Sequence, residues 1–177
     1  MNFRQHALKI VLGTESLRSI PNIALQALEQ GLDTPSLYIL AGFSDNDSEF
    51  EIIHYYGTAL HELGIELPDK RNAAIQLGLS IADEIFDNKR SVIEGVMEIK
   101  NIAIDAYPFY KETKHYCYDS IGFEKVYGLL DQISDLKDAG STQWQVNKTN
   151  KELEIEYALK LMDELKQWYS LMKAPIA

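Results

Sequence analysis

Apolar positions recur every three or four residues along nearly the whole chain, the spacing that places them on one face of an α-helix. The segment 150–173 shows this best. Ile155, Ala158, Met162, Leu165, Tyr169 and Met172 form a stripe, with Glu156, Lys160, Asp163 and Lys166 largely off it. Over 69–87 the stripe is Ala74, Leu77, Ile81 and Ile85, and Gly78 beside it leaves room for a second helix to approach. Over 92–106 Val92, Val96, Ile99, Ala103 and Ala106 face one way, and Glu94, Glu98, Asn101 and Asp105 the other.

The segment 48–63 carries two stripes. Phe50, Ile53, Gly57 and Leu60 make one, and Ile52, Tyr56, Ala59 and Leu63 the other. Only a strip of Glu51, His54, Thr58, His61 and Glu62 stays polar. A helix apolar on most sides belongs at the centre of a bundle, and that position is predicted here.

Start and stop signals agree with the periodicity. Ser48–Glu51, Ser91–Glu94 and Thr149–Glu152 have capping-box spacing, in which the cap side chain and the acid three residues later each satisfy a free backbone N–H. Thr34-Pro35 opens another helix with proline at its first position, and Pro21 and Pro68 sit near two more. Gly13, Gly31, Gly42 and Gly64 follow apolar stretches, where a left-handed helix terminus favours glycine. The predicted helices are 3–12, 21–30, 35–42, 48–63, 69–87, 92–106, 121–137 and 150–173. No alternating run suggests a strand and no repeat is visible. The expectation is one all-α domain, residues 1–177, forming a compact bundle of about eight helices. Residues 107–120 and 138–149 read as irregular connections.

Charge narrows the function classes. The 177 residues hold 17 Lys and Arg against 27 Asp and Glu, a net charge of −10. That balance opposes nucleic acid and anionic membrane surfaces, both of which attract basic proteins. It suits a basic protein partner. No apolar run approaches the roughly 18 residues of a membrane span. Lys9 interrupts the short apolar stretch at the N-terminus and no small-residue cleavage site follows, so the expected location is cytoplasmic. One cysteine excludes an intramolecular disulfide and a multi-cysteine zinc site. The stripe on 150–173 fits packing within the chain or pairing across a homo-oligomer.

The candidate chemistry is sparse. His54 and His61 share the polar strip, but seven residues place them about 10 Å apart along a helix, too far for one ion. Glu51-Ile52-Ile53-His54 fits the Glu-x-x-His unit of a di-iron bundle once, without the required second copy. Asp45-Asn46-Asp47-Ser48-Glu49 resembles the start of a calcium loop, but Phe50 stands where glycine is needed and Tyr56 where a bidentate glutamate is needed. Cys117 lies two residues from His115, which supplies no positioned base. No cofactor or metal is implied, and no catalytic residue is assigned. Tyr107, Phe109, Tyr110, Tyr116 and Tyr118 fall within twelve residues. Tyrosine combines large contact area with a polar handle, so this segment is the candidate partner-binding site. Packing under the loop is the alternative for the same rings.

Gly31-Leu32-Asp33-Thr34-Pro35-Ser36-Leu37, then Leu40-Ala41-Gly42, then Ala59-Leu60-His61-Glu62-Leu63-Gly64-Ile65 is similar to a family of small bacterial all-helical proteins. These share Gly-x-Asp-Ser/Thr-Pro-x-Leu-x-x-Leu-Ala-Gly followed by a helix ending in Glu-Leu-Gly. The resemblance spans residues 22–106 and implies an all-helical fold and a bacterial source. The family has no assigned activity, so it implies no catalytic residues.

Two functions follow. The leading one is a non-catalytic acidic protein-binding module, of which a toxin-neutralising immunity-type protein is an instance. The other is a small enzyme or ligand- or metal-binding bundle using Glu51, His54, His61 and Glu62 with groups from other helices. A DNA-binding regulator ranks last, because 35–42 carries no Lys or Arg.

Overall fold

A computed structural model describes residues 2–44, 46–112, 118–138 and 148–174. Among them the fold is all-α, with eight α-helices and no strand. The helices are α1 (Phe3–Leu12), α2 (Ile20–Glu29), α3 (Pro35–Ala41), α4 (Glu49–Glu62), α5 (Lys70–Phe86), α6 (Val92–Glu98), α7 (Glu124–Asp138) and α8 (Asn150–Lys173). The chain divides into two compact units, one ending at Leu77 and the other beginning at Gly78, both within α5.

In the first unit α2 packs on α3, and α3 on α4. Its core gathers Phe3, Ile23, Leu37, Leu40, Ile52 and Tyr56, with the Phe3 ring set edge-on to Tyr56 at 6.1 Å. Helix α1 begins with a capping box that the Ser/Thr–Glu spacing did not reveal. The Asn2 side chain accepts from the Gln5 N–H at 2.9 Å, and the Gln5 side chain accepts from the Asn2 N–H at 2.8 Å. Asparagine and glutamine satisfy the same two donors as serine and glutamate. The Ser48 side chain, by contrast, makes no cap hydrogen bond. Gly13, Gly31 and Gly64 take left-handed conformations, whereas Gly42 closes α3 at φ −85°.

Helix α4 is not apolar-sheltered on both sides. Ile52, Tyr56, Ala59 and Leu60 are buried, but Phe50 is 81% exposed and Ile53 47% exposed. Burying both stripes takes helices on two sides. Here α2 and α3 take up the Ile52–Tyr56 side, and the Phe50–Ile53 side faces solvent.

The second unit holds the end of α5 with α6, α7 and α8. Ile81 and Ile85 are buried here, and Ala74 and Leu77, the part of the same α5 stripe that belongs to the first unit, are buried too, as the stripe predicts. A Cβ on Gly78 would stand 3.0 Å from the Trp168 ring and 3.3 Å from Ile99, so this glycine does admit close neighbours. Gly95 of α6 is tighter, since its Cβ would meet Ile85 at 2.5 Å. Between these helices the Arg90 guanidinium, partly buried, pairs with both Glu84 and Glu98.

Two stripes are drawn differently from the sequence reading. The helix predicted over 92–106 stays α-helical to Glu98 and then widens into a π turn over Ile99–Ile104, with the Asp105 N–H bonded to the Lys100 carbonyl at 2.8 Å. Within this turn Ile99, Ala103 and Ile104 are buried. In α8 the buried row is Leu153, Leu161, Leu165 and Trp168, while Ile155 is exposed. The two candidate rows share Leu165, and the row containing Trp168 buries the larger apolar surface. Thr149 and Glu152 form the expected capping box. At Ser91 the hydroxyl accepts from the Glu94 N–H and donates to the Glu94 carboxylate.

Candidate functional site

The polar strip of α4 does not converge on a ligand. His54 and His61 are both exposed, and Glu51 lies on the surface beside them. His54 sets its ring edge-on to Tyr55 at 5.2 Å. Among the described residues no group of three His, Cys, Asp or Glu could hold a metal ion.

Glu62 has a specific task, in the neighbouring helix. Its carboxylate accepts from the Ser36 N–H at 3.1 Å and from the Ser36 hydroxyl at 3.0 Å. Helix α3 lacks a side-chain cap from Thr34, so the last residue of α4 serves as its N-terminal acceptor. Burial pushes this carboxyl up, but the Ser36 N–H, the hydroxyls of Thr34 and Ser36 and the neighbouring His61 together hold it below the usual carboxylate range. The Thr34 hydroxyl acts only through proximity, since its oxygen has no partner at hydrogen-bond geometry. The Thr34-Pro35-Ser36 and His61-Glu62-Leu63-Gly64 segments are thus bonded to each other, which gives that pair of motifs a structural role.

The aromatic segment is divided. Phe109 is fully buried, with Tyr107 edge-on to it at 4.7 Å. Tyr118 is half-buried. Its hydroxyl donates to Asp105 at 2.6 Å, and its ring meets Tyr127 at 5.4 Å. Tyr110 stands out at 58% exposure. Tyr116, with His115 and Cys117, lies outside the described residues, as do Gly140 and Trp144. Asp105 also receives Lys100 at 2.7 Å, and Lys100 with Met97, Asn101, Tyr127, Asp131 and Ser134 borders an open groove beside the π turn.

On the outward face of α4 the sequence pattern assigns Phe50, Ile53 and Gly57 to the core and offers only the polar strip with His54 and His61 as a candidate site. Phe50, Ile53, His54, Gly57 and His61 all face out. Its C-terminal half opens onto a depression lined by Gly57, Leu60, His61, Gly64, Ile65 and Glu66. A signal was present in the sequence. Between Arg18 and Lys70 there is no Lys or Arg, while nine Asp and Glu occur.

No family model, no curated protein and no solved structure matches this chain. Among the described residues no helix is long and apolar enough to cross a membrane.

Proposed function

We propose that this chain is a non-catalytic acidic module that binds a basic protein. The observation that supports it most is the outward stripe of α4, where a phenylalanine stands 81% exposed on a helix without a Lys or Arg. Contiguous apolar groups on an exposed face, rimmed by polar residues, mark an interaction surface, and Phe50 and Ile53 stand exposed about one turn apart on this one. An immunity-type protein that covers a basic toxin is one instance, and the cytoplasm is the proposed location. Charge complementarity of this kind mainly sets association rate and partner choice.

The alternative, a ligand- or metal-binding bundle built on Glu51, His54, His61 and Glu62, receives less support. His54 and His61 point to solvent, and Glu62 is occupied by Ser36.

The test is co-purification of tagged protein from the lysate of its host at low and high salt. A basic partner retained at low salt and released at high salt is the expected result. A solitary protein in both buffers, together with a thermal shift on adding a divalent metal that His54→Ala and His61→Ala abolish, would replace this reading with the alternative.

A further inference from the structure

Gly57 sits in the interior of α4, where glycine weakens a helix relative to alanine. Nothing in the fold requires it. Its φ is not in the left-handed region, and an added Cβ would meet no atom within 4 Å. The position is exposed, and it interrupts the stripe between Phe50 and Ile53 on one side and His61 on the other. The missing side chain leaves a notch that continues into the depression bordered by Leu60, Gly64 and Ile65. Exposed apolar groups and a notch with bare backbone are the parts that seat a protruding side chain from another protein.

The surrounding charge selects the partner. The run from Ser19 to Asp69 carries nine carboxylates and no Lys or Arg. Arg18, just before it, pairs with Glu49 at 3.0 Å at the N-terminal end of α4, and Glu62 is held by Ser36, so the exposed carboxylates that border the stripe are Glu51 and, at the depression, Glu66. Resting on the reading of this chain as an acidic binding module, we propose that the outer face of α4 docks a basic amphipathic segment of a partner protein. Its Lys and Arg side chains meet Glu51 and Glu66, one large apolar side chain enters the notch at Gly57 against Ile53, and a second apolar group meets Phe50 about two turns away.

The probe is a fluorescein-labelled synthetic peptide of alternating Lys, Arg and Leu with one central Trp, and its counterpart with Glu in place of every Lys and Arg. Anisotropy should show binding of the basic peptide alone, weakening steeply with salt. Amide shifts should fall on α4 and on residues 64–66. Phe50→Ser should weaken binding about tenfold, equivalent to about 1.4 kcal/mol. Gly57→Ala should raise the melting temperature yet weaken binding several-fold, a combination that a purely structural glycine does not give. Gly128→Ala is the control, because its Cβ also meets nothing, and it should raise the melting temperature and leave binding unchanged. Undiminished binding by both the Phe50 and Gly57 variants, or shifts centred on α7 and α8, would overturn this face and leave the acidic-module reading standing. No binding of the basic peptide, joined to a solitary protein in the lysate experiment, would overturn both.

Discussion

Single residues show where the fold uses a polar group and where it only tolerates one. The Tyr56 hydroxyl is buried with no hydrogen-bond partner, and that burial, with the charge of Glu15 nearby, pushes its ionisation well above the usual tyrosine range. Removing an unsatisfied buried hydroxyl relieves a desolvation cost. Tyr56→Phe should therefore be neutral or stabilising by up to about 1 kcal/mol in chemical denaturation. A clear loss of stability would mean that the hydroxyl has a partner. Glu62 is the opposite case. Its carboxyl is below its ordinary value in the folded chain. The ionised form therefore stabilises the fold above the ordinary glutamate range, and that contribution fades as pH falls through the lowered folded value. Glu62→Gln should melt at a lower temperature than the wild type near neutral pH, and the gap should close in acid. A gap independent of pH would show that the charge is not what Ser36 responds to.

Elements are held together by a few close approaches. At the contact of α5 with α6, Ile85 lies where a Cβ on Gly95 would stand, at 2.5 Å. Gly95→Ala should cost about 1–3 kcal/mol by overpacking, despite the better helix propensity of alanine. Adding Ile85→Ala should recover part of that loss, a non-additivity visible in a double-mutant cycle. The same junction contains Arg90, which faces Glu84 and Glu98. Arg90→Met leaves two carboxylates close together without their cation, and should destabilise more at neutral pH than in acid. The π turn after α6 shows why an element's interior can be misread. The spacing of apolar residues over 92–106 is the same whether the turn closes with four residues or five, so the widening at Ile99–Ile104 leaves no mark in the pattern.

At the scale of the molecule, charge is the property that reaches furthest. A net charge of −10 implies self-repulsion in the folded state. Raising the ionic strength from about 0.01 M to 0.15 M shortens the screening length from about 30 Å to about 8 Å. The melting temperature should rise over that interval. A fall would mean that surface ion pairs such as Lys160 with Glu156 at 2.8 Å outweigh the repulsion. The same salt should release a basic partner, so stability and binding move in opposite directions.

Much of the architecture can be read from the chain. Three-and-four spacing, proline at helix starts and glycine at helix ends are local properties, and they place seven of the eight helices to within three residues, while the one predicted over 92–106 is α-helical only to Glu98. The α5 stripe and the role of Gly78 as a close-approach point follow from the same local rules. Which side of an ambiguous helix is covered does not follow, because it depends on elements distant in sequence. Helix α4 has two apolar stripes; α2 and α3 take up the one through Ile52 and Tyr56, and of Phe50, Ile53, Gly57 and Leu60 only Leu60 is buried. Helix α8 offers two rows through Leu165, and the burial of Trp168 selects between them. The partner of Glu62 is 26 residues away at Ser36, a pairing no spacing rule announces. The exposure of Phe50 and the open space at Gly57 are likewise decided in three dimensions, since a core phenylalanine and a surface one are written with the same letter.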